Sequence, residues 1–166
     1  MKVKNSLIQA LVENGLEKTT DHSVDPKYAY QVYCFRREVL AAYKVLEEKR
    51  VELLKEAGIP YDPTFDARRN ELLRSSVLTD EQRAELDGMN AKVQRFCEMF
   101  DQLLDDEVEL NIRPIPYEEY HKLAAENKRV RVDYKLANNE ITHYEIDFFL
   151  TFRDELKDIL WIAPKE

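Results

Sequence analysis

The stretch DPKYAYQVYCFRREVLAAYKVLEEKRVELLKEAG, residues 25–58, decides the fold of this chain. Val32, Phe35, Val39, Ala42, Leu46 and Leu53 follow three-then-four spacing, so one apolar seam runs along a single helical face. Asp25 stands as N-cap before Pro26, whose missing N–H costs nothing in the first turn. Gly58 ends the run as a left-handed terminator and Pro60 lies beyond it. The pattern predicts one unbroken helix of about 48 Å at 1.5 Å per residue.

A second stretch, TDEQRAELDGMNAKVQRFCEMFDQLL at 79–104, repeats the design with Leu86, Met89, Val93, Phe96, Phe100 and Leu103. Thr79 and Gln82 form a capping box. The helix is expected to stop near Leu104, where Asp105, Asp106 and Glu107 would set negative charge against the negative end of its dipole. Gly88 costs about 1 kcal/mol relative to alanine, a hint of close helix approach or a bend. Between the two helices, Pro60, Pro63 and a short helical piece from Phe65 to Arg74 form the connection, which predicts an antiparallel helical hairpin over about 26–104.

Outside the hairpin the period changes. Met1 to Lys4 alternates like a short edge strand, and a brief helix follows from Asn5 or Ser6 to Gly15, then a loop over 16–24. Val108, Leu110 and Ile112 alternate with polar residues and predict a strand over 108–113, halted by Pro114 and Pro116. Val130, Val132, Tyr134 and Leu136 predict another over 129–136, with a short helix over 116–126 between them. The Thr142/Glu145 capping box and the Ile141–Ile146 staple then predict a C-terminal helix over about 143–161. Its apolar arc, from Tyr144 to Leu160, is wider than one seam needs, which calls for burial within the fold or contact with another subunit. The whole reads as a single α+β domain over 1–166, mainly helical, with a small sheet.

Composition sets bounds on function. The chain has 166 residues, 44% hydrophobic and 35% charged, enough to bury a core without disulfide or metal support. Thirty-three acidic against 25 basic side chains give a net charge of -8, which disfavours bare attraction to nucleic-acid backbones or anionic lipid. No signal-peptide core or membrane-length apolar run is visible, so a cytoplasmic protein is expected. Cys34 and Cys97 have no metal-ligand spacing and read as reduced core thiols.

No motif of catalysis accompanies the seams. His22, His121 and His143 lack paired ligands, and neither a zinc-protease pair nor a Gly-x-Ser-x-Gly turn occurs. Three glycines leave no phosphate-cradling loop. The acidic residues Asp101, Asp105, Asp106, Glu107 and Glu109 lack the loop spacing of a calcium site and read as a solvated cluster. Lys128, Arg129 and Arg131 form a small basic edge without a stacking motif. The expectation is therefore no enzyme, no cofactor and no metal. The tyrosines are more suggestive. Tyr28, Tyr30, Tyr33 and Tyr43 lie on the first long helix, where the seam cannot take all of them, and with Phe148 and Phe152 they make the candidate interaction surface.

The order of features resembles a family of small, uncharacterised proteins encoded by tailed phages and prophages. The resemblance is carried by the opening Met-Lys-Val-Lys-Asn, the Tyr28-Ala29 step, RVELLKEAG at 50–58, LLDDEVELNI at 103–112 and Ile141-Thr-x-x-Glu-Ile146. Residues 113–140 have no counterpart in it, and it carries over no functional residue. It implies a phage or prophage origin. The expected role is then noncatalytic protein–protein interaction in assembly, scaffolding or an accessory function, through a phage or host partner or through self-association. Two other readings stand beside it: an acidic decoy that inhibits a host nucleic-acid-binding protein, and an enzyme with an unrecognised site.

Overall fold

The computed structural model describes residues 1–60 and 62–165, and the fold is α+β and mainly helical. In chain order it has β1 (Lys2–Lys4), α1 (Asn5–Glu13), a 3-10 turn (Leu16–Lys18), α2 (Pro26–Glu56), α3 (Pro63–Arg74) and α4 (Asp80–Asp105). Then follow β2 (Glu107–Glu109), β3 (Ile115–Pro116), α5 (Tyr117–Glu126), β4 (Val130–Lys135), β5 (Ile141–Ile146), α6 (Phe148–Thr151) and β6 (Trp161–Ile162). The strands pair as three two-stranded sheets: β1 with β2 antiparallel, β3 with β6 parallel, and β4 with β5 antiparallel. No helix among the described residues is long and apolar enough to cross a membrane.

The chain divides into two compact units, Met1–Lys44 with Glu107–Glu166, and Val45–Asp106. The physical reason lies in how α2 spends its seam. Val32, Phe35 and Val39 are fully buried in the core of the first unit, each burial contributing about 1.5–3 kcal/mol. That core also holds Ile8, Leu11, Leu16, Ile115, Tyr120, Leu123, Phe148, Phe149, Leu156 and Leu160. The hairpin partnership belongs to the later part of α2. Glu56 pairs with Arg95 at 3.8 Å and Gly58 lies under Lys92, while Leu53 and Leu103 line one shallow groove, so this segment and α4 run antiparallel. In this second unit, along the α4 seam, Leu103 is buried while Leu86, Met89, Val93, Phe96 and Phe100 are half-exposed.

The start and stop signals of the long helices act as read. Thr79 Oγ1 accepts from the Gln82 N–H at 3.2 Å and the Gln82 side chain accepts from the Thr79 N–H at 3.0 Å, closing the capping box. Gly58 has φ +78°, and the Ile59 N–H reaches back to Leu54 O at 2.9 Å in the manner of a Schellman end. Helix α3 begins earlier than expected, because Asp62 caps it through the Thr64 N–H and Pro63 takes the first helical position. Gly88 needs no close neighbour: a Cβ there would meet nothing within 4 Å.

The C-terminal region departs furthest from expectation. A C-terminal helix is present, but as the single turn Phe148–Thr151 rather than over 143–161. Residues 141–146 form a strand instead, registered as Val130 with Ile146, Val132 with Tyr144 and Tyr134 with Thr142. The hairpin turn explains it. Asn139 N–H donates to Leu136 O at 3.0 Å, Asn139 sits at φ +68°, and Leu136 N–H closes the pair on Glu140 O at 2.8 Å. This is the three-residue loop of a type I turn followed by a left-handed residue, and Asn139 supplies that conformation. With the β4 face needing a partner, ladder bonds outweigh the local Thr142/Glu145 cap. The expected strand over 108–113 likewise shortens to Glu107–Glu109, since β1 is only three residues long and offers no more ladder.

Candidate interaction face

The six expected interaction residues separate sharply. Phe148 is fully buried and Phe152 is 8% exposed, both inside the first unit's core, so neither belongs to a surface. Their apolar arc calls for burial within the fold or contact with another subunit, and burial is the outcome: Phe148 in α6 and Phe152 just after it lie with ring centroids 5.1 Å apart, tilted to each other. Tyr28 and Tyr43 pack partly buried against the same core. Tyr30 and Tyr33 remain, 67% and 51% exposed and stacked on each other at 6.2 Å.

Helical geometry places them. Val32, Phe35 and Val39 commit one stripe of α2 to the core, and residues three and four apart then share the outer faces. Lys27, Tyr30, Cys34 and Arg37 repeat at three, four and three residues, a second stripe parallel to the buried one. This stripe forms one wall of a groove of about 470 Å³ within the first unit, completed by Gln31, Glu38, Asn111 and Arg113. The Gln31 amide holds the other wall in place: oriented with its nitrogen toward the backbone, it donates to Pro114 O at 3.1 Å and Arg113 O at 3.3 Å. The Asn111 N–H points to Glu38 Oε2 at 3.4 Å.

The charge of the groove opposes that of the chain. Lys27, Arg37 and Arg113 face a single carboxylate, Glu38, in a protein of net charge -8. Arg37 lies 4.0 Å from Glu38 and 6.0 Å from the Tyr33 ring, a loose arrangement on both sides. The Lys27 ammonium rests 4.6 Å from the Tyr28 ring centroid, and interaction with that side chain raises its pKa above the ordinary lysine value. The Arg113 guanidinium has no hydrogen-bond or ion-pair partner among the described residues. Contrast Arg36, one position along, which is tied to Thr19 O at 2.7 Å and to Asp21.

Behind this face, the loop before α2 is fastened by polar side chains that sequence reasoning missed. Asn127, 4% exposed, accepts from the Thr20 N–H and donates to Thr20 O and Leu123 O, all at 2.8 Å. Glu126 accepts from the N–H groups of His22 and Ser23 and from the hydroxyls of Thr20 and Ser23. Burial alone would raise the Glu126 pKa, but these donors overcome it and hold the carboxyl below the ordinary glutamate value. Glu119 accepts from the Lys122 ammonium and the Asp25 N–H, and these lower its pKa too. The sequence signal was thin: an Asn and a Glu at a helix end, with nothing to name their loop partner.

A larger cavity of about 580 Å³ lies in the second unit, floored by Leu54, Ile59, Phe65, Val93 and Phe96. Its rim cations are engaged, Arg50 with Glu47 and Arg69 with Asn90. Cys97 lies on this cavity and is exposed, while Cys34 is half-buried; both are free thiols, so Cys97 is not a core residue. It occupies the outward side of α4 because Phe96 takes the seam position beside it. Among the described residues, no three of histidine, cysteine, aspartate and glutamate are placed to hold one metal ion. In the acidic cluster, Glu109 pairs with the N-terminal ammonium and Glu107 approaches Lys2 at 4.0 Å. Comparison with known proteins returns no matching family model, no curated relative and no solved structure.

Proposed function

We propose that this chain is a noncatalytic phage or prophage protein that acts by binding another protein through the outer face of α2. The observation that carries the reading is the Tyr30–Tyr33 pair, stacked and open to solvent on a helix whose buried stripe is already complete. Exposed tyrosines on a rigid helix supply large contact area at low entropic cost, and tyrosine is enriched where binding energy concentrates. Arg37 beside them adds a donor fork suited to a partner's carboxylate. The phage origin rests on the resemblance in sequence order, and a cytoplasmic or virion-associated location follows from it.

The test is site-specific photo-cross-linking. A benzophenone side chain replacing Tyr30 or Tyr33 is expected to trap a discrete protein adduct in cells, which the same group at Glu48, about five turns beyond Tyr30 along α2, does not. Purified protein carrying Tyr30→Ala and Tyr33→Ala is expected to lose that partner while keeping its circular dichroism. No adduct at either position, or identical adducts at all three, refutes the reading.

A further inference from the structure

We infer that the groove between α2 and residues 111–113 is the seat for an acidic peptide segment of the partner: carboxylate side chains between Lys27, Arg37 and Arg113, and an apolar or aromatic residue against Tyr30. This rests on the interaction reading above and names what the partner must present.

Charge complementarity selects the occupant. Three cations share one concave surface with one carboxylate; Arg37 pairs loosely with Glu38 and Lys27 feels Asp25 and Glu119 outside the groove, but Arg113 has no partner among the described residues, so the groove lining keeps a net positive charge. Two of the three are guanidiniums, whose planar forks match a carboxylate in bidentate fashion. Partial enclosure between two walls lowers the local dielectric relative to a flat surface, so a paired charge is worth more here than on open helix. Length sets the second constraint. A long polyanion such as nucleic acid would run from this local patch onto a surface of net charge -8, whereas a segment of four or five residues stays within the groove. Tyr30, at the groove and 67% exposed, gives such a segment an apolar anchor beside its charges.

The probe is a rhodamine-labelled peptide, EEFDE, titrated with the full chain by fluorescence anisotropy, with QQFNQ as the neutral analogue. Saturable binding is expected for EEFDE and not for QQFNQ. It should weaken several-fold as NaCl rises from about 50 to 200 mM, because the contacts are partly screened. Arg113→Glu and, separately, Lys27→Glu should each weaken EEFDE roughly tenfold or more, equivalent to about 1.4 kcal/mol. Both residues are exposed, so their variants should fold, and Trp161 fluorescence checks this. Absence of saturable EEFDE binding, equal binding of QQFNQ, unchanged affinity in both variants, or preference for AMP or single-stranded DNA each overturns the assignment. Peptide binding without any protein cross-link at Tyr30 would retain the groove and discard the interaction reading; a cross-link without peptide binding would do the reverse.

Discussion

Replacing Gly15 by alanine gives the most exacting check of how the first unit is assembled. Gly15 lies at φ +96°, in the left-handed region that costs a side-chain-bearing residue about 1–2 kcal/mol. A Cβ there would also stand 2.8 Å from Val130 Cγ1 and 3.4 Å from Arg131 O. Val130 is 4% exposed and fixed in the β4–β5 register, so it cannot swing away freely. Overpacking of this kind costs about 1–3 kcal/mol, while alanine recovers about 0.4–1 kcal/mol by restricting the unfolded chain. The net expectation is a loss of about 2–3 kcal/mol.

The chain has one tryptophan, Trp161, which is 5% exposed in the core of the first unit, so its fluorescence in a urea titration reports on that unit. Gly88→Ala is the counterpart in the second unit. Apart from its chain neighbours and the helix's own backbone, no heavy atom lies within 4 Å of the added methyl, and the helix interior gains about 1 kcal/mol of propensity, read by far-UV circular dichroism. A Gly15→Ala midpoint equivalent to less than about 0.5 kcal/mol from wild type would refute the close approach of Gly15 to β4.

Asn127→Ala removes three hydrogen bonds from a buried side chain, two of them to the Thr20 backbone, and is expected to cost about 1–3 kcal/mol by the same fluorescence titration. Tyr30→Ala with Tyr33→Ala should leave stability within about 0.5 kcal/mol, whereas Phe148→Ala should cost about 3–5 kcal/mol; similar values for the two would contradict their assigned burial. Acid should destabilise the first unit. Glu119, Glu126 and Asp133 all have folded pKa values below their unfolded ones, so their stabilisation is present above the unfolded values near pH 4 and is lost as pH falls through the folded ones. Melting temperatures measured between about pH 7 and pH 3 should fall across that range, and Glu126→Gln should flatten part of the decline.

Legibility followed the range of the interactions involved. Helix ends were readable because a cap is a short-range bond: Thr79 with Gln82, Asp25 with the Lys27 N–H and Gly58 with its own preceding turn are each settled within a few residues. The same locality misled at 141–146, where a Thr142/Glu145 box lost to a ladder six residues long whose other half lies at 130–135. The Asn138-Asn139 pair was the available hint of a hairpin, since asparagine tolerates positive φ. The division of α2 was not readable, because its seam continues without change of period from Val32 to Leu46 while its partners differ. At the candidate face, helical spacing brought out Tyr30 and Tyr33, but Arg113 comes from 75 or more positions away and Phe148 depended on the misread helix.

The two stripes of α2 explain why this face carries a partner-binding surface rather than solvating residues alone. A helix that needs only one cover sets mixed charges on its remaining circumference, as Glu47, Glu48, Lys49 and Arg50 do further along the same helix. Between Lys27 and Arg37 the outer positions instead hold two tyrosines, a half-buried thiol and cations with little carboxylate beside them. Neither Tyr30 nor Tyr33 contributes to the buried core, and stacking between two exposed rings recovers only part of what burial would provide. Folding of the first unit therefore does not require these residues, whereas contact with an acidic, aromatic-bearing segment would use the rings and the cations together.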